Sequence, residues 1–254
     1  MLAIERHNKI LNLLDQFGTV RTIDLANNFS VTDETIRRDL QILADEEKLM
    51  RIHGGASSTS GRPSLSSFEE RSFINTPHKK SIAEMALNFV QPGKTYAFDS
   101  STTAMALVYM LPNLPFRVIT NALAVIQGLI NNNNIDVIST GGRYHSKTNT
   151  FIGGDSINAM RRHHIDNAFI SCLGLDIERG ASEGFEQQAI YKEQLIQISD
   201  KVTLLVDSSK INSHSEYYFS AMENITCIIT DCGIQSSVVS QIVDLGIDIK
   251  VAAI

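Results

Sequence analysis

The sequence predicts an α/β chain with two folded parts, a small helical unit followed by a larger unit built on an open, mostly parallel sheet. Its 254 residues exceed one average domain of roughly 100–200 residues. The first 56 residues are dominated by helix-like periodicity. From Lys79 onward, apolar strand-like runs alternate with helix-like segments, which is the pattern of a parallel sheet covered on both faces.

Three short helices and a hairpin are predicted in the first 56 residues. The first helix spans about 3–17, with Ile10 and Leu14 on one face, and ends at Gly18. A second helix covers about 23–28. A third helix begins after Thr32, and its apolar residues are spaced about one turn apart, so that they share one face. A short alternating run then ends in a Gly-Gly turn, as a two-stranded ribbon would. Together these elements predict a winged helix-turn-helix.

The third helix leaves long hydrogen-bonding side chains on the face opposite its apolar stripe. Arginine suits guanine edges and phosphates, and the first turn of such a helix normally enters the major groove. The candidate DNA-contacting residues on the helix are Thr32, Glu34, Thr35, Arg37 and Arg38, and those on the wing are Lys48, Arg51 and His53. The alternative is an ordinary surface helix, and bulk charge gives DNA binding no support, because residues 1–56 carry seven basic against nine acidic side chains.

A Ser- and Thr-rich segment follows the hairpin and is predicted to be a linker. The predicted domain organisation is therefore a DNA-binding domain over 1–56, a linker over 57–77 and an α/β domain over 78–254. In the last of these, the predicted helices are 81–90, 103–110, 122–131, 188–199 and 236–245. The predicted strands are 96–99, 117–120, 136–139, 168–171, 202–206, 227–230 and 247–251.

Polar loops follow several of these strands, and the carboxyl ends of parallel strands are where ligands bind in open sheets. The candidate residues are Asp99, Ser100, Ser101, Thr102, Thr103, Thr120, Asn121, Gly141, Gly142, Arg143, Ser171, Gly174, Asp207 and Lys210. Hydroxyls and backbone N–H groups after the first strand, where a helix begins, would suit an anion. Each loop also has a plain alternative: a capped turn, a glycine turn or a salt-bridged loop.

The motifs resemble those of one family. Arg6-x-x-x-Ile10, the run IDLANNFSVTDETIRRDLQIL and the wing ending in RIHGGA closely resemble the N-terminal domain of DeoR-type bacterial transcriptional regulators, and the second half is similar to the same family. The resemblance implies an operator-bound helix-turn-helix, usually a repressor, controlled by a phosphorylated sugar in the C-terminal domain. The resemblance also implies that Glu186 and Lys192 belong to the family's C-terminal pattern, with Lys192 as a second cation. It further implies that the C-terminal domain is similar in fold to ribose-5-phosphate isomerase and the coenzyme A transferases.

The sequence departs from the family pattern in two places. Ser101 stands where the family's Asp-x-Gly-Thr-Thr motif has glycine, which adds a Cβ beside the expected phosphate. Ser171 also replaces a usual glycine. The implied partners are double-stranded operator DNA and a phosphorylated sugar. Because a single helix-turn-helix domain makes few contacts with DNA, a homodimer or homotetramer on paired half-sites is expected.

Other function classes are disfavoured. The formal charge of −6 excludes a polycation, and there is no membrane-length apolar run or signal peptide, so a cytoplasmic protein is expected. The cysteines Cys172, Cys227 and Cys232 are expected to be buried and reduced. An isomerase-like enzyme with an added DNA-binding domain is the alternative, but no carboxylate follows the 168–171 strand before Asp176. No catalytic residue, cofactor or metal site is predicted, since His163 and His164 lack carboxylates at ligand spacing.

Overall fold

The computed structural model describes residues 2–17, 19–46, 48–52, 54–58 and 68–253. The predicted wing residue His53 and residues 59–67 of the predicted linker lie outside these ranges. The chain divides into two compact units, Met1–Ile74 and Asn75–Ile254, called here the N-terminal and the C-terminal unit. No helix of the described residues is long and apolar enough to cross a bilayer.

Helices and a small sheet make up the N-terminal unit. The helices are α1 (Ala3–Phe17), α2 (Thr22–Phe29), α3 (Asp33–Asp45) and α4 (Phe68–Phe73). The strands are β1 (Thr19–Arg21), β2 (Leu49–Ile52) and β3 (Gly55–Ser58), in the order β1-β3-β2. Ile10 and Leu14 of α1 pack with Ile36, Leu40 and Leu43 of α3 in one core, as the helical spacing predicts.

Two features of this part of the chain differ from the prediction. The wing has a third strand, because Val20 of β1 pairs with Ala56 of β3. Three residues are too few for an alternating pattern to show in the sequence. The segment interpreted as linker, 57–77, includes the end of β3, all of α4 and the first residues of the next helix.

Helices and strands alternate through most of the C-terminal unit. Its helices are α5 (Thr76–Ala86), α6 (Thr102–Val108), α7 (Leu123–Leu129), α8 (Gly154–Met160), α9 (Glu186–Gln197) and α10 (Ser236–Asp244). Its strands are β4 (Thr95–Phe98), β5 (Phe116–Thr120), β6 (Ile135–Ser139), β7 (Arg143–His145), β8 (Thr150–Ile152), β9 (Asn167–Ile170), β10 (Gly174–Asp176), β11 (Gly180–Glu183), β12 (Val202–Leu205), β13 (Tyr217–Ser220), β14 (Cys227–Asp231) and β15 (Asp248–Ala252).

Seven strands form one parallel sheet in the order β15-β14-β12-β9-β4-β5-β6. All of its strand pairs are parallel, which confirms the predicted sheet. The chain starts at β4, moves outward through β5 and β6, and returns to β9 on the other side of β4. The strand order therefore reverses between β4 and β9, and a crevice at the carboxyl ends of these two strands is where open α/β sheets bind ligands.

The sequence did not predict two smaller sheets or α8. The strands β7 and β8 form a hairpin, and β10, β11 and β13 form an antiparallel sheet. These strands are three or four residues long and include small or polar residues, so they lack the apolar run that marks a buried strand. Both small sheets matter for the site, because they carry Thr150 and Glu183.

The core of the C-terminal unit lies between the seven-stranded sheet and its helices. Ile170, Leu204 and Ile228 are wholly buried in neighbouring strands. The cysteine prediction is correct for two residues, since Cys172 and Cys227 are buried free thiols. It is wrong for Cys232, which is exposed, because that residue follows the last pairing residue of β14.

Candidate functional site

The helix α3 presents the predicted polar face to solvent. Its buried residues are Ile36, Asp39, Leu40 and Leu43. The exposed residues on the opposite face include Glu34, Arg37 and Arg38. Thr32 caps the helix: its hydroxyl accepts from the Thr35 N–H at 3.3 Å and lies 2.9 Å from the Thr35 hydroxyl. The two threonines therefore also stabilise the helix start.

A buried ion pair holds this helix against α1. Arg6 donates to both carboxylate oxygens of Asp39, at 3.0 Å from its Nη2 to Oδ1, and His7 Nε2 lies 2.9 Å from the same oxygen. Burial would raise the pKa of Asp39, but hydrogen bonds from Arg6 and His7 outweigh it and hold that pKa below its usual value. Asp39 follows Arg38 in the sequence, yet its role is to orient the helix that carries Arg37 and Arg38.

The wing depends on Gly55, which the sequence pattern indicated only as part of a turn. Gly54 adopts a φ of +79° at the turn itself. A Cβ on Gly55 would lie 1.9 Å from the carbonyl oxygen of Val20, so only glycine allows β3 to pair there. Of the predicted wing contacts, Arg51 is exposed and Lys48 forms an exposed ion pair with Glu46 at 2.7 Å.

In the C-terminal unit, Asp99 joins the two loops at which the strand order reverses. Its Oδ1 accepts from the N–H and the hydroxyl of Ser101, at 3.0 and 2.6 Å. Its Oδ2 accepts from the Ser171 N–H at 2.9 Å and lies 2.9 Å from Lys192 Nζ. Asp99 is wholly buried. It therefore shapes the loop, and its carboxylate is fully engaged by the protein.

Lys192 contacts both of these loops. Its ammonium group contacts the carboxylates of Asp99 and Glu183 and donates to the Ser171 carbonyl at 2.6 Å. Burial would lower the pKa of Lys192, but the two carboxylates outweigh it and raise that pKa. With two carboxylates around one buried ammonium, the charge of Lys192 is neutralised within the protein. Sequence reasoning missed Glu183, because it lies on the unpredicted strand β11.

The hydroxyl-rich loop after β4 combines a capped turn with buried hydroxyl groups. Ser101 caps α6, since its hydroxyl accepts from the Ala104 N–H at 3.1 Å. This bond gives the departure from the family's glycine a structural role. Ser100 and Thr103 are buried, and the Ser100 hydroxyl donates to Gln188 Oε1 at 3.4 Å.

A chain of polar side chains links this loop to the β7–β8 hairpin. Gln188 donates from Nε2 to the Thr150 hydroxyl at 2.7 Å, and that hydroxyl lies 2.8 Å from the Thr148 hydroxyl. Thr148 in turn lies 2.9 Å from His145 Nδ1. Sequence reasoning missed these residues, because the contacts join a helix to a hairpin distant in sequence.

The neighbouring loops also meet at this edge of the sheet. Thr120 fastens its turn by donating to the Phe98 carbonyl at 2.8 Å, and Asn121 donates to the Phe151 carbonyl at 3.0 Å. Gly142 and Gly174 pack against backbone: an added Cβ would lie 2.8 Å from the Ile152 carbonyl oxygen and 2.6 Å from the His214 Cα. On either side of Gly142, Gly141 has a φ of +60° and Arg143 is exposed.

The loop after β12 is tied to the start of α5. Asp207 is buried, and its Oδ1 accepts from Asn75 Nδ2 at 2.9 Å and from the Ser209 hydroxyl. Lys210 Nζ lies 3.6 Å from Asp207 Oδ2. Burial would raise the pKa of Asp207, but the charge of Lys210 and the bond from Ser209 lower it. Asp207 is therefore an ionised acceptor.

Several buried polar atoms around this edge have no hydrogen-bond partner among the described residues. They are Asn75 Oδ1, Thr103 Oγ1, Asn121 Oδ1, Ser171 Oγ and Asp207 Oδ2. Buried polar groups are nearly always paired in folded proteins, so such a group calls for an explanation. A polar ligand at the carboxyl edge of the sheet would supply the missing partners.

A separate cluster lies at the opposite, amino end of the strands. His164, Asp166 and Asp200 bring one ligand atom each to within 4.8 Å of one another, although the sequence spacing had argued against carboxylates near His164. Lys94 Nζ, however, lies 2.7 Å from Asp166, and the Thr95 N–H donates to the same carboxylate at 2.8 Å. Lys94 already supplies a cation here, and the absence of a metal site stays a prediction.

Comparison with known proteins identifies the family. Residues 6–62 match the DeoR-like helix-turn-helix domain, and residues 74–232 match the DeoR C terminal sensor domain. The chain belongs to the DeoR family of transcriptional regulators.

Curated relatives are similar along nearly the whole chain. An uncharacterized HTH-type transcriptional regulator, YulB of Bacillus subtilis, is 37% identical over 254 residues, which cover 100% of this chain and 98% of the relative. The L-fucose operon activator of Haemophilus influenzae is 34% identical, covering 89% and 91%. The glycerol-3-phosphate regulon repressor of Escherichia coli is 29% identical, covering 98% and 99%. These relatives are named as regulators and not as enzymes.

The solved structures are less similar in sequence to the chain than the curated relatives are. Ribose 5-phosphate isomerase A of Methanocaldococcus jannaschii has 15% identity and a TM-score of 0.41, covering 54% of this chain and 55% of that one. The eIF2B delta subunit of Chaetomium thermophilum has 12% identity and a TM-score of 0.45, covering 89% and 70%.

Proposed function

We propose that this protein is a cytoplasmic repressor of a carbohydrate uptake or catabolic operon, released from its operator by a phosphorylated sugar. The observation that carries the proposal is the cluster of buried, unpartnered polar atoms at the sheet edge, in a chain that also bears an exposed arginine-rich α3. Relatives that regulate a fucose operon and a glycerol-3-phosphate regulon support a carbohydrate-linked ligand.

Operator binding is assigned to α3 and the wing. The exposed Arg37 and Arg38, with Glu34, would contact base edges and phosphates, while Thr32 and Thr35 stabilise the start of α3 beside the DNA. The wing residues Lys48, Arg51 and His53 would grip the neighbouring backbone or minor groove. A homodimer or homotetramer of the chain would bind paired half-sites.

The effector is assigned to the carboxyl edge of the sheet. The loop from Ser100 to Thr103 would hold the phosphate through backbone N–H groups and the Thr103 hydroxyl. Asp99, Lys192 and the side-chain bonds of Ser100 and Ser101 would hold the loop in shape. The sugar would extend across β9 toward Asp207 and Lys210. β4 and β12 are two strand spacings apart, which is about 10 Å and fits a phosphorylated sugar.

The remaining predicted residues would complete this site. Asn121 offers an acceptor that has no hydrogen-bond partner in the described part of the chain, and Arg143 is an exposed cation on the adjoining hairpin. Thr120, Gly141, Gly142 and Gly174 would act by shaping the loops. Release from DNA requires only that the effector bind the DNA-incompetent conformation more tightly.

The direction of regulation is tested by transcript levels. In a strain that lacks the gene, transcripts of the operon bound by the protein should rise and should no longer respond to its sugar. A fall in these transcripts would show activation instead, and unchanged transcripts would contradict control of that operon.

A further inference from the structure

Asn75 is the first residue of the C-terminal unit, and sequence reasoning did not place it in a site. It is more than nine-tenths buried, with 8% of its surface exposed, and adopts a left-handed backbone with a φ of 52°. As the residue before α5 it could cap that helix, but its side chain makes no capping hydrogen bond. The side chain is directed to another element.

That element is the loop after β12. Asn75 Nδ2 donates to Asp207 Oδ1 at 2.9 Å and to the Ser209 hydroxyl at 3.1 Å. The other oxygen of each partner, Asn75 Oδ1 and Asp207 Oδ2, is buried without a hydrogen-bond partner among the described residues. Lys210 Nζ approaches Asp207 Oδ2 only to 3.6 Å. Two linked side chains thus each leave one acceptor unused.

Two buried oxygens on hydrogen-bonded side chains, both without a donor among the described residues, call for a ligand with donors. A buried polar group without a hydrogen bond is destabilising, so filling both acceptors would favour the bound state. A phosphate offers oxygen acceptors and negative charge, which the carboxylate of Asp207 would repel. A pair of neighbouring hydroxyl groups offers two O–H donors, one for the amide oxygen and one for the carboxylate.

We propose that Asn75 and Asp207 together bind a pair of hydroxyl groups on the sugar part of the effector, with the phosphate held at the loop after β4. This inference rests on the proposed function and deepens it by assigning the two ends of the ligand. It also makes Asn75 a direct ligand contact at the residue where the chain enters the C-terminal unit.

The packing around Asn75 connects this contact with the start of α5. His78 Nδ1 lies 3.1 Å from Asp231 Oδ1 at the end of β14, and the charge of the buried Lys79 acts on Asp207. The first turn of α5 is therefore anchored on the ends of two neighbouring strands. A ligand that bonds to Asn75 would therefore contact the residue that precedes this anchored turn.

The test is calorimetric titration of the full chain with fructose 1-phosphate, fructose 6-phosphate, tagatose 6-phosphate, glycerol 3-phosphate and inorganic phosphate. Asn75→Gly removes the amide while keeping a left-handed backbone accessible. The matched control is Asn212→Gly, because Asn212 is exposed and has a similar φ of 58°. Asn75→Ala provides a second removal of the same amide, and thermal melting verifies that each variant is folded.

We expect Asn75→Gly to weaken the tightest-binding sugar phosphate about tenfold, as the loss of one hydrogen bond to a buried acceptor predicts. Inorganic phosphate should bind within about twofold of wild type, and Asn212→Gly should leave both affinities unchanged. Equal sugar-phosphate affinity in wild type and both Asn75 variants would overturn the inference while leaving the proposed function intact. If no sugar phosphate binds the wild-type chain, the proposed function fails, and this inference with it.

Discussion

The ammonium group of Lys192 lies between the carboxylates of Asp99 and Glu183 in a position closed to solvent. The family resemblance had suggested Lys192 as a cation for the ligand. The structure gives it a second task, because its charge balances the carboxylate that joins the loops after β4 and β9. A buried ion pair of this kind is sensitive to the loss of either partner.

Lys192→Met is expected to destabilise the protein by about 3 kcal/mol, since it leaves two buried carboxylates without a counter-charge. Chemical denaturation followed by circular dichroism measures this. The matched control is Lys201→Met on the exposed surface, which should change the free energy of unfolding by less than about 0.5 kcal/mol. A loss for Lys192→Met no larger than the control's would contradict the assigned network.

The pH dependence of the same variant has a definite sign. In the wild type, the pKa of Asp99 is lowered, so its contribution to stability is present at neutral pH and is lost only as pH falls through that lowered pKa. Without Lys192, the pKa of Asp99 rises, because burial is then opposed only by the hydrogen bonds from Ser101 and Ser171. Protonation of Asp99 therefore costs less in the variant, so its stability deficit relative to wild type should shrink as the pH falls below neutral.

Individual residues differ in how far the sequence predicts them. The hydroxyl loop and Asp207 follow predicted strands, so their place at the sheet edge was predictable. Glu183 and Thr150 lie on short strands without an apolar pattern, and Asn75 lay within the predicted linker. Their roles depend on tertiary contacts between segments far apart in sequence, which periodicity does not reveal.

At the scale of elements, α3 shows how local sequence sets a functional surface. Its stripe of Ile36, Leu40 and Leu43 fixes which face is buried, and the Arg6–Asp39 pair fixes how the helix sits on α1. Helical spacing predicted the stripe and the exposed arginines. It did not predict the ion pair, because Asp39 lies among charged residues that look solvent-facing.

Replacing Arg37 and Arg38 with alanine should reduce affinity for the operator by roughly a hundredfold or more, since each arginine contact to a base is worth about 1–3 kcal/mol. Both side chains are exposed, so the melting temperature should be nearly unchanged. Anisotropy titrations with labelled operator DNA measure the affinity, and Arg117→Ala in the C-terminal unit is the control. Retained binding by the double variant would remove α3 as the reading helix.

Across the whole molecule, the order of elements was more predictable than their details. Alternating apolar strands and helices predicted the parallel sheet, and all seven of its strands fall on predicted runs. The strand order could not be predicted from the sequence, because the packing of helices on both faces of the sheet decides which strands pair. That order matters most for function, since the reversal between β4 and β9 selects the edge that the polar loops share.

In the proposed function, one chain couples specific DNA binding to the binding of a phosphorylated sugar. The direct measurement is fluorescence anisotropy of the full chain with DNA from upstream of its own gene, at fixed salt, with and without a panel of sugar phosphates. We predict binding to this DNA in preference to unrelated DNA of equal length, and an affinity that one sugar phosphate changes at least about fivefold. Equal binding to both DNAs, whatever sugar phosphate is present, would contradict the account.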